Sequence, residues 1–199
     1  MRRGFVPEAV SKADKNLYQL LMRKCASPEV AESLLRETGL RFGIPGSELR
    51  PTLAALALVS LGVSSESVSR MLPWGDFESF CADIAIAQGY QVKRNVTLRN
   101  PRAQIDFVAR SETVIASMDC KHWSRLGPSA VRALALAQLR RSRLLRRTLK
   151  TEKLPIVSAI ITLFDSRERF AEGVAVVPVS VLPNFLQDLE GLTEMLEVV

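Results

Sequence analysis

The sequence predicts an α/β fold in which a mixed central sheet with flanking helices follows a small all-α domain. From residue 76 onward, short runs rich in β-branched residues alternate with helical periodicities in the order αβββαββα. Strands and helices that interleave in this way are typical of one layered unit with helices on both faces of the sheet. Before residue 73, apolar residues recur at spacings of three and four, which is the periodicity of helices.

A break in the helical pattern marks the expected domain boundary. Pro73 and Gly75 interrupt the helical periodicity within three residues of each other. We therefore expect a helical domain over residues 1–72 and an α/β domain over residues 73–199. At 199 residues and 47% hydrophobic content, the chain is long enough to bury one sizeable core and a small accessory domain.

The end of the helical domain has a more specific pattern. Residues 52–72 predict two short helices joined at Gly62-Val63-Ser64, with Ser64 capping the second helix. This arrangement resembles a helix-turn-helix, whose second helix reads DNA in the major groove. The alternative is a plain helical hairpin used for packing or dimer contact, because Arg70 is the only basic residue of the second helix.

The α/β domain contains short β-rich runs separated by turn residues, together with longer amphipathic segments. The predicted strands span residues 91–99, 103–110, 113–121, 156–163 and 173–179. The predicted helices span residues 76–88, 128–149 and 180–196. The first three strands follow one another closely, and this predicts an antiparallel meander.

Charge and composition narrow the class of protein. The net charge is +6, and residues 121–153 hold ten Lys or Arg against one acid, so the rest of the chain is net negative. A basic segment of this kind favours a polyanionic partner such as nucleic acid. Neither a secretory signal nor an apolar run of about 20 residues is present, which predicts a soluble, cytoplasmic protein that binds no membrane. Three cysteines without CxxC pairing indicate buried thiols.

Two acidic residues on neighbouring predicted strands indicate a metal-binding site. Strand alternation places Asp119 and Lys121 on one face, whereas Cys120 points to the other. A hairpin to the preceding strand brings Asp106 close to Asp119. Two carboxylates on central strands repel each other and lose hydration, so they are best tolerated with a cation between them. Mg²⁺ is the expected cation, with Mn²⁺ as a substitute, because it prefers carboxylate, water and phosphate oxygens.

Lys121 and Glu78 complete the predicted site. The Lys121 ammonium beside a metal is suited to orienting and helping to deprotonate an attacking water, or to neutralising charge on a phosphodiester in the transition state. Glu78 lies at the edge of the apolar stripe of the first α/β-domain helix, where it supplies a third acid for the metal or the proton. The alternative for the Asp-x-Lys pair, taken by itself, is an exposed ion pair on a strand.

These residues resemble the PD-(D/E)xK nuclease superfamily in order and spacing. Glu78 in DFESF, Asp106 in QIDFVA and Asp119-x-Lys121 in MDCK match its acidic helix, strand acid and (D/E)xK motif. Mrr-like restriction endonucleases and archaeal Holliday junction resolvases are the most similar members. The resemblance implies a restriction-endonuclease-like core, metal binding by Asp106 and Asp119, a catalytic Lys121, a supporting acid at Glu78, and a homodimer. Gln138 matches a glutamine that is frequent on the helix after the motif, which implies a catalytic role, and its apolar helical stripe predicts that it faces inward.

The helix after the motif has a basic face. Arg140, Arg143, Arg147 and Lys150 recur at helical spacing, and such a face is suited to a DNA phosphate backbone. A solvated face, or one paired with acids across a dimer, is the alternative.

Two functions of different class follow from the sequence. The first is a Mg²⁺-dependent DNA endonuclease that uses the site described above. The second is a catalytically idle DNA-binding and dimerisation module in which the helix-turn-helix does the work. The pattern does not distinguish duplex, branched, single-stranded or methylated DNA, and it leaves RNA open.

Overall fold

The structure, a computed structural model, describes residues 64–122, 127–149, 153–166 and 168–194, together with residues 52, 55, 56, 59, 196, 198 and 199. The chain separates into two compact units, Met1–Leu72 and Pro73–Val199. Within the described residues, no helix is both long and apolar enough to cross a membrane.

The first unit contributes helix α1 (Ser65–Met71). Ser64 caps it as predicted, because its hydroxyl accepts a hydrogen bond from the Ser67 amide at 3.2 Å. Arg70 pairs with Glu66 at 2.6 Å on the exposed side of this helix. Most of the preceding predicted helix and the Gly62-Val63 turn lie outside the described residues, so the helix-turn-helix stays a prediction.

A mixed six-stranded sheet forms the centre of the second unit within the described residues. Its strands are β1 (Gln91–Leu98), β2 (Ala103–Arg110), β3 (Ile115–Lys121), β4 (Ile156–Thr162), β5 (Phe170–Ala171) and β6 (Val174–Pro178). They lie in the order β1-β2-β3-β4-β6-β5. The first three strands pair antiparallel, β3, β4 and β6 run parallel, and β5 pairs antiparallel with β6. The predicted meander and the predicted α/β class with a mixed sheet are confirmed.

Two long helices cover opposite faces of this sheet. Helix α2 (Trp74–Ala87) lies on the face where the Cys120 thiol meets Cys81, and burial, followed by this contact, raises the pKa of Cys120. Helix α3 (Pro128–Thr148) lies on the other face, where Gln138 bonds to Ser117 of β3. Since residues 117 and 120 differ by an odd number, their side chains point to opposite faces. Every residue of β3 and β4 is buried, as expected for central strands covered on both sides.

The predicted C-terminal helix over residues 180–196 is wrong as a continuous element. The chain instead forms a 3₁₀ turn (Val179–Val181), helix α4 (Leu182–Gln187) and helix α5 (Leu189–Leu192). Pro183 fits only the first turn of a helix, because it has no N–H to donate. Gly191 has a low helix propensity and shortens the last helix further.

The small strand β5 was absent from the predicted order. It turns back onto β6 through two residues with positive φ, Glu172 at 51° and Gly173 at 75°. The antiparallel pairing covers only two residues of β5. A strand of this length is too short to produce a recognisable alternation.

Arg146 and the first residue of β4 both form hydrogen bonds to the main chain of Val199. The main chain of Val199 exchanges two hydrogen bonds with Ile156 at the start of β4, at 3.1 and 3.2 Å. Arg146 on α3 donates to the Val199 main-chain oxygen at 2.7 and 3.1 Å and also to the oxygen of Leu154. This arginine therefore has a structural role, although it lies within the predicted basic helix.

We expect Arg146→Ala to lower the free energy of unfolding by about 1–3 kcal/mol, because it leaves part-buried carbonyl oxygens without a charged donor. Urea denaturation followed by circular dichroism measures this change. Arg147→Ala, which removes an exposed neighbour, is the matched control and should change stability by less than about 0.5 kcal/mol. Equal losses in the two variants would contradict the anchoring role.

Candidate active site

The site begins where the pairing of two strands stops. Strands β2 and β3 pair from Arg110–Ile115 to Phe107–Met118. Beyond this last pair, the Cys120 amide of β3 donates a hydrogen bond to the side chain of Asp106 on β2, at 2.7 Å from its oxygen Oδ2. A side-chain acceptor therefore takes the place of a main-chain acceptor, and the Asp106 carboxyl group is held against β3.

Asp119 lies at the centre of the site with a cation on each side. Its carboxylate is buried, with 2% of the residue exposed. Oxygen Oδ2 lies 2.6 Å from Lys121 Nζ, and Oδ1 accepts a hydrogen bond from Arg141 Nη1 at 3.0 Å. Oδ2 has no hydrogen-bond partner within the described residues, so the short contact to Lys121 is a charge pair without hydrogen-bond alignment.

Lys121 is held at the edge of the same face. Its ammonium donates to the Cys120 carbonyl oxygen at 3.3 Å and lies 6.0 Å from the ring centroid of Trp74. Trp74 is 49% exposed, and its face is an attractive surface for a cation. The ammonium is thus fixed by an anion, a carbonyl and an aromatic ring, while the residue remains 9% exposed.

The pKa of Asp106 is raised from 3.8 to about 6. Burial is the largest cause, and the neighbouring charges of Asp119 and Glu78 raise the pKa further. The hydrogen bond from the Cys120 amide and the charge of Lys121 lower it in part. Without an added cation, Asp106 is therefore harder to ionise than a solvent-exposed aspartate.

Glu78 is near these acids but is engaged elsewhere. It accepts a hydrogen bond from the indole nitrogen of Trp74, one turn earlier on α2. Across the described ranges, no three His, Cys, Asp or Glu side chains form a group that could hold a metal. The structure therefore brings Asp106 and Asp119 together, and it leaves Glu78 outside a shared ligand set.

Gln138 faces inward as the sequence predicts, although it does not touch the carboxylates. Its amide nitrogen donates to the Ser117 carbonyl at 2.9 Å and to the Ser117 hydroxyl at 3.0 Å. Its amide oxygen accepts from Arg141 Nη1 at 3.1 Å. Gln138 thereby connects α3 to β3 and orients the arginine that contacts Asp119. The sequence places Arg141 beside the basic face of this helix and does not predict its contact with Asp119. The signal for that contact is the position of Arg141 one helical turn after Gln138.

A cleft of about 630 Å³ opens over the two aspartates. Four cationic side chains line it together with the acids, namely Arg102, Lys121, Arg140 and Arg141. Arg102 was not predicted as part of the site. It could have been found as a basic residue in the turn that precedes the strand of Asp106.

The predicted DNA-binding residues divide into three groups. Arg140 lines the cleft. Arg143 and Arg147 are exposed on the same helix and are not among the residues that line it. Lys150 lies outside the described residues.

The residues present fit a divalent cation. Mg²⁺ is usually held by one or two carboxylates and keeps several waters. Asp106 and Asp119 supply two such carboxylates, and the buried Oδ2 of Asp119 lacks a hydrogen-bond donor within the described residues. A cation between the two acids would also offset the repulsion that raises the pKa of Asp106.

Comparison with known proteins agrees with this geometry. The family model of the Mrr catalytic domain, described as "Restriction endonuclease", matches residues 69–148. The matched segment contains α2, β1 to β3 and α3, and thus both aspartates, Lys121, Glu78 and Gln138. No curated protein matches the chain.

Among solved structures, the chain is similar to protein VC1899 from Vibrio cholerae, at 15% identity and a TM-score of 0.41. The match covers 92% of this chain, which spans 56% of the length of that protein. The resemblance predicted from the motifs is confirmed to this extent: residues 69–148, which hold both aspartates and Lys121, match the Mrr-type restriction endonuclease model.

Proposed function

We propose that this protein is a metal-dependent endonuclease that hydrolyses DNA phosphodiester bonds. The observation that carries the proposal is the convergence of Asp106, Asp119 and Lys121 in a cleft whose other charged side chains are arginines. The match of this segment to a restriction endonuclease model supports the reaction class. A cleft that combines an acid pair with surrounding cations suits a cation and a phosphodiester together.

Asp106 and Asp119 would hold the metal, which supplies Lewis-acid chemistry at a phosphoryl oxygen when bound. Lys121 points its charge into the same cleft and stabilises the negative charge that develops on the phosphoryl group. Asp119 positions this ammonium through the ion pair at 2.6 Å. Glu78, held by Trp74, supports the site through its charge and through proton transfer by way of water.

The arginines supply contacts to the DNA backbone. Arg102 and Arg140 line the cleft around the acid pair, and exposed Arg143 and Arg147 extend the basic surface along α3. Contacts of this kind position the backbone without reading base sequence. A homodimer and DNA reading by the helix-turn-helix remain predictions from the sequence.

One observation favours the idle binding module as a second candidate. Both oxygens of Asp119 face cations of the chain itself, Lys121 and Arg141. An acid neutralised in this way can persist as a structural ion pair after activity is lost. Cleavage assays separate the two functions.

We expect the wild type to cut DNA with Mg²⁺ or Mn²⁺, and Asp119→Ala and Lys121→Met each to lower the rate by about 100-fold or more. A panel of supercoiled, linear, single-stranded and branched DNA measures cleavage and identifies the preferred structure. Lys93→Met removes an exposed lysine of β1 and should leave the rate unchanged. Tight DNA binding by the wild type without any cleavage would favour the idle module instead.

Without divalent cations, we expect Asp106→Asn to stabilise the protein at about pH 7.5 by roughly 1–2 kcal/mol, after allowance for solvent screening. Because folding raises the pKa of Asp106 from 3.8 to about 6, the folded state binds the proton more tightly. The contribution of Asp106 to stability is therefore greatest below pH 3.8 and is lost as the pH rises through about 6. The amide of the variant still accepts the Cys120 N–H.

Thermal melts with a chelator at about pH 4 and about pH 7.5 measure this effect, and the two proteins should converge at the lower pH. Asp165→Asn, in an exposed pair with Arg169, is the control and should stay close to the wild type. Mg²⁺ should raise the melting temperature of the wild type and not that of Asp106→Asn. A destabilised Asp106→Asn at the higher pH would contradict the raised pKa of Asp106.

We expect Arg102→Gln and Arg140→Gln each to reduce the salt dependence of DNA affinity, with the log–log slope falling by about one unit. Fluorescence anisotropy with a labelled duplex at several salt concentrations measures the slope. Arg132→Gln is the matched control on α3, because Arg132 pairs with Glu172 at 2.6 Å outside the cleft. Equal slope changes in all three variants would show a general charge effect.

A further inference from the structure

Arg141 contacts the buried acid of the site although it belongs to no motif. It projects from α3, is 26% exposed on its side chain, and contacts Oδ1 of the buried Asp119 at 3.0 Å. Gln138 holds the same Nη1 atom at 3.1 Å, and Gln138 is itself fixed to Ser117 of β3. Arg141 is therefore positioned by a chain of hydrogen bonds that begins and ends on β3.

A buried carboxylate needs compensating charge whether or not a metal is present. In the described structure Arg141 and Lys121 provide that compensation for Asp119. A divalent cation that approaches this carboxylate meets a guanidinium already bonded to its oxygen Oδ1. Since the cation and the guanidinium repel each other, binding of one weakens binding of the other.

The rest of the Arg141 side chain faces the space where substrate would lie. Both of its hydrogen bonds use Nη1, and atoms Nη2 and Nε make no hydrogen bond with the residues that the structure describes. The side chain lines the cleft beside Arg140. A guanidinium that leaves Asp119 can thus contact a phosphodiester with little movement, because its planar fork suits phosphate oxygens.

We propose that Arg141 is the built-in counter-ion of Asp119, which lowers the affinity of the site for a divalent cation until a phosphodiester takes up its guanidinium. This inference rests on the proposed nuclease function. Arg141 is a positioning residue in this role: it holds Asp119 before the metal arrives and the phosphate afterwards. Metal and DNA would then favour each other's binding through one side chain.

The test compares Mg²⁺ binding by full-length, metal-stripped protein in the absence of DNA, using calorimetry. We expect Arg141→Gln to bind Mg²⁺ about tenfold more tightly than the wild type, because it removes one positive charge beside the ligand. Arg140→Gln removes the same charge from the next residue in the same cleft and should change affinity less than about threefold. Arg141→Lys keeps the charge and should bind Mg²⁺ like the wild type. Arg141→Met serves as the second charge-removing variant if Arg141→Gln does not fold.

Cleavage provides a second readout that a purely structural role would not give. In Arg141→Gln the Mg²⁺ concentration for half-maximal cleavage should fall while the maximal rate also falls, because the phosphate loses a contact. Asp119→Asn in the Arg141→Gln background should abolish Mg²⁺ binding, which assigns the binding to this carboxylate.

Two results would overturn the inference. If the wild type binds Mg²⁺ and cuts DNA but Arg141→Gln binds the metal no more tightly than Arg140→Gln, the counter-ion role fails and the nuclease function stands. If neither the wild type nor any variant binds Mg²⁺ or Mn²⁺, and no DNA is cut, both proposals fail together.

Discussion

The buried charge of Asp119 is the constraint on which the rest of this domain depends. A carboxylate in a central strand loses most of its hydration, and the loss is tolerated only with cations close by. Lys121 is on the same face of the same strand, so the strand itself supplies the first cation. The second, Arg141, comes from α3, and its position requires that helix to pack across β3 in one register. Charge compensation and helix packing are therefore coupled in this domain.

The register between α3 and β3 is fixed by polar contacts in an otherwise apolar interface. Gln138 reaches Ser117, and Ser142, one turn later, accepts a hydrogen bond from Ser158 of β4 at 2.7 Å. Directional bonds specify one alignment, whereas apolar contacts tolerate several. A shift of α3 by one turn would break these bonds and remove Arg141 from Asp119. Ser142 thus ties α3 to β4, and Gln138 ties it to β3.

The sequence predicts the parts of the site that depend on strand alternation or on a short connection between strands. Alternation along β3 gives the shared face of Asp119 and Lys121, and the short hairpin gives the proximity of Asp106. Arg141 was not predictable in the same way, because on a helix with several arginines only the packing direction shows which one meets the carboxylate. The hydrogen bond between Glu78 and Trp74 could not be predicted either, because the sequence does not show which of several nearby groups the Glu78 carboxylate contacts. The fold class followed from the order of periodic segments, whereas the two-residue strand β5 and the break at Asp188 fall below the length at which periodicity is informative.

The arginines of α3 show how one basic segment serves three different purposes. Arg146 donates to the main-chain oxygens of Leu154 and Val199, Arg141 compensates an acid, and Arg143 and Arg147 are exposed. Summed charge alone suggests a uniform DNA-binding face. Arg141 and Arg146, however, point inward and form contacts within the domain. In the proposed function, affinity for a phosphate backbone would come from the exposed arginines and from those that line the cleft. Because Arg141 belongs to both sets, the proposed metal binding and the proposed substrate binding would both act through a residue that also compensates a buried acid.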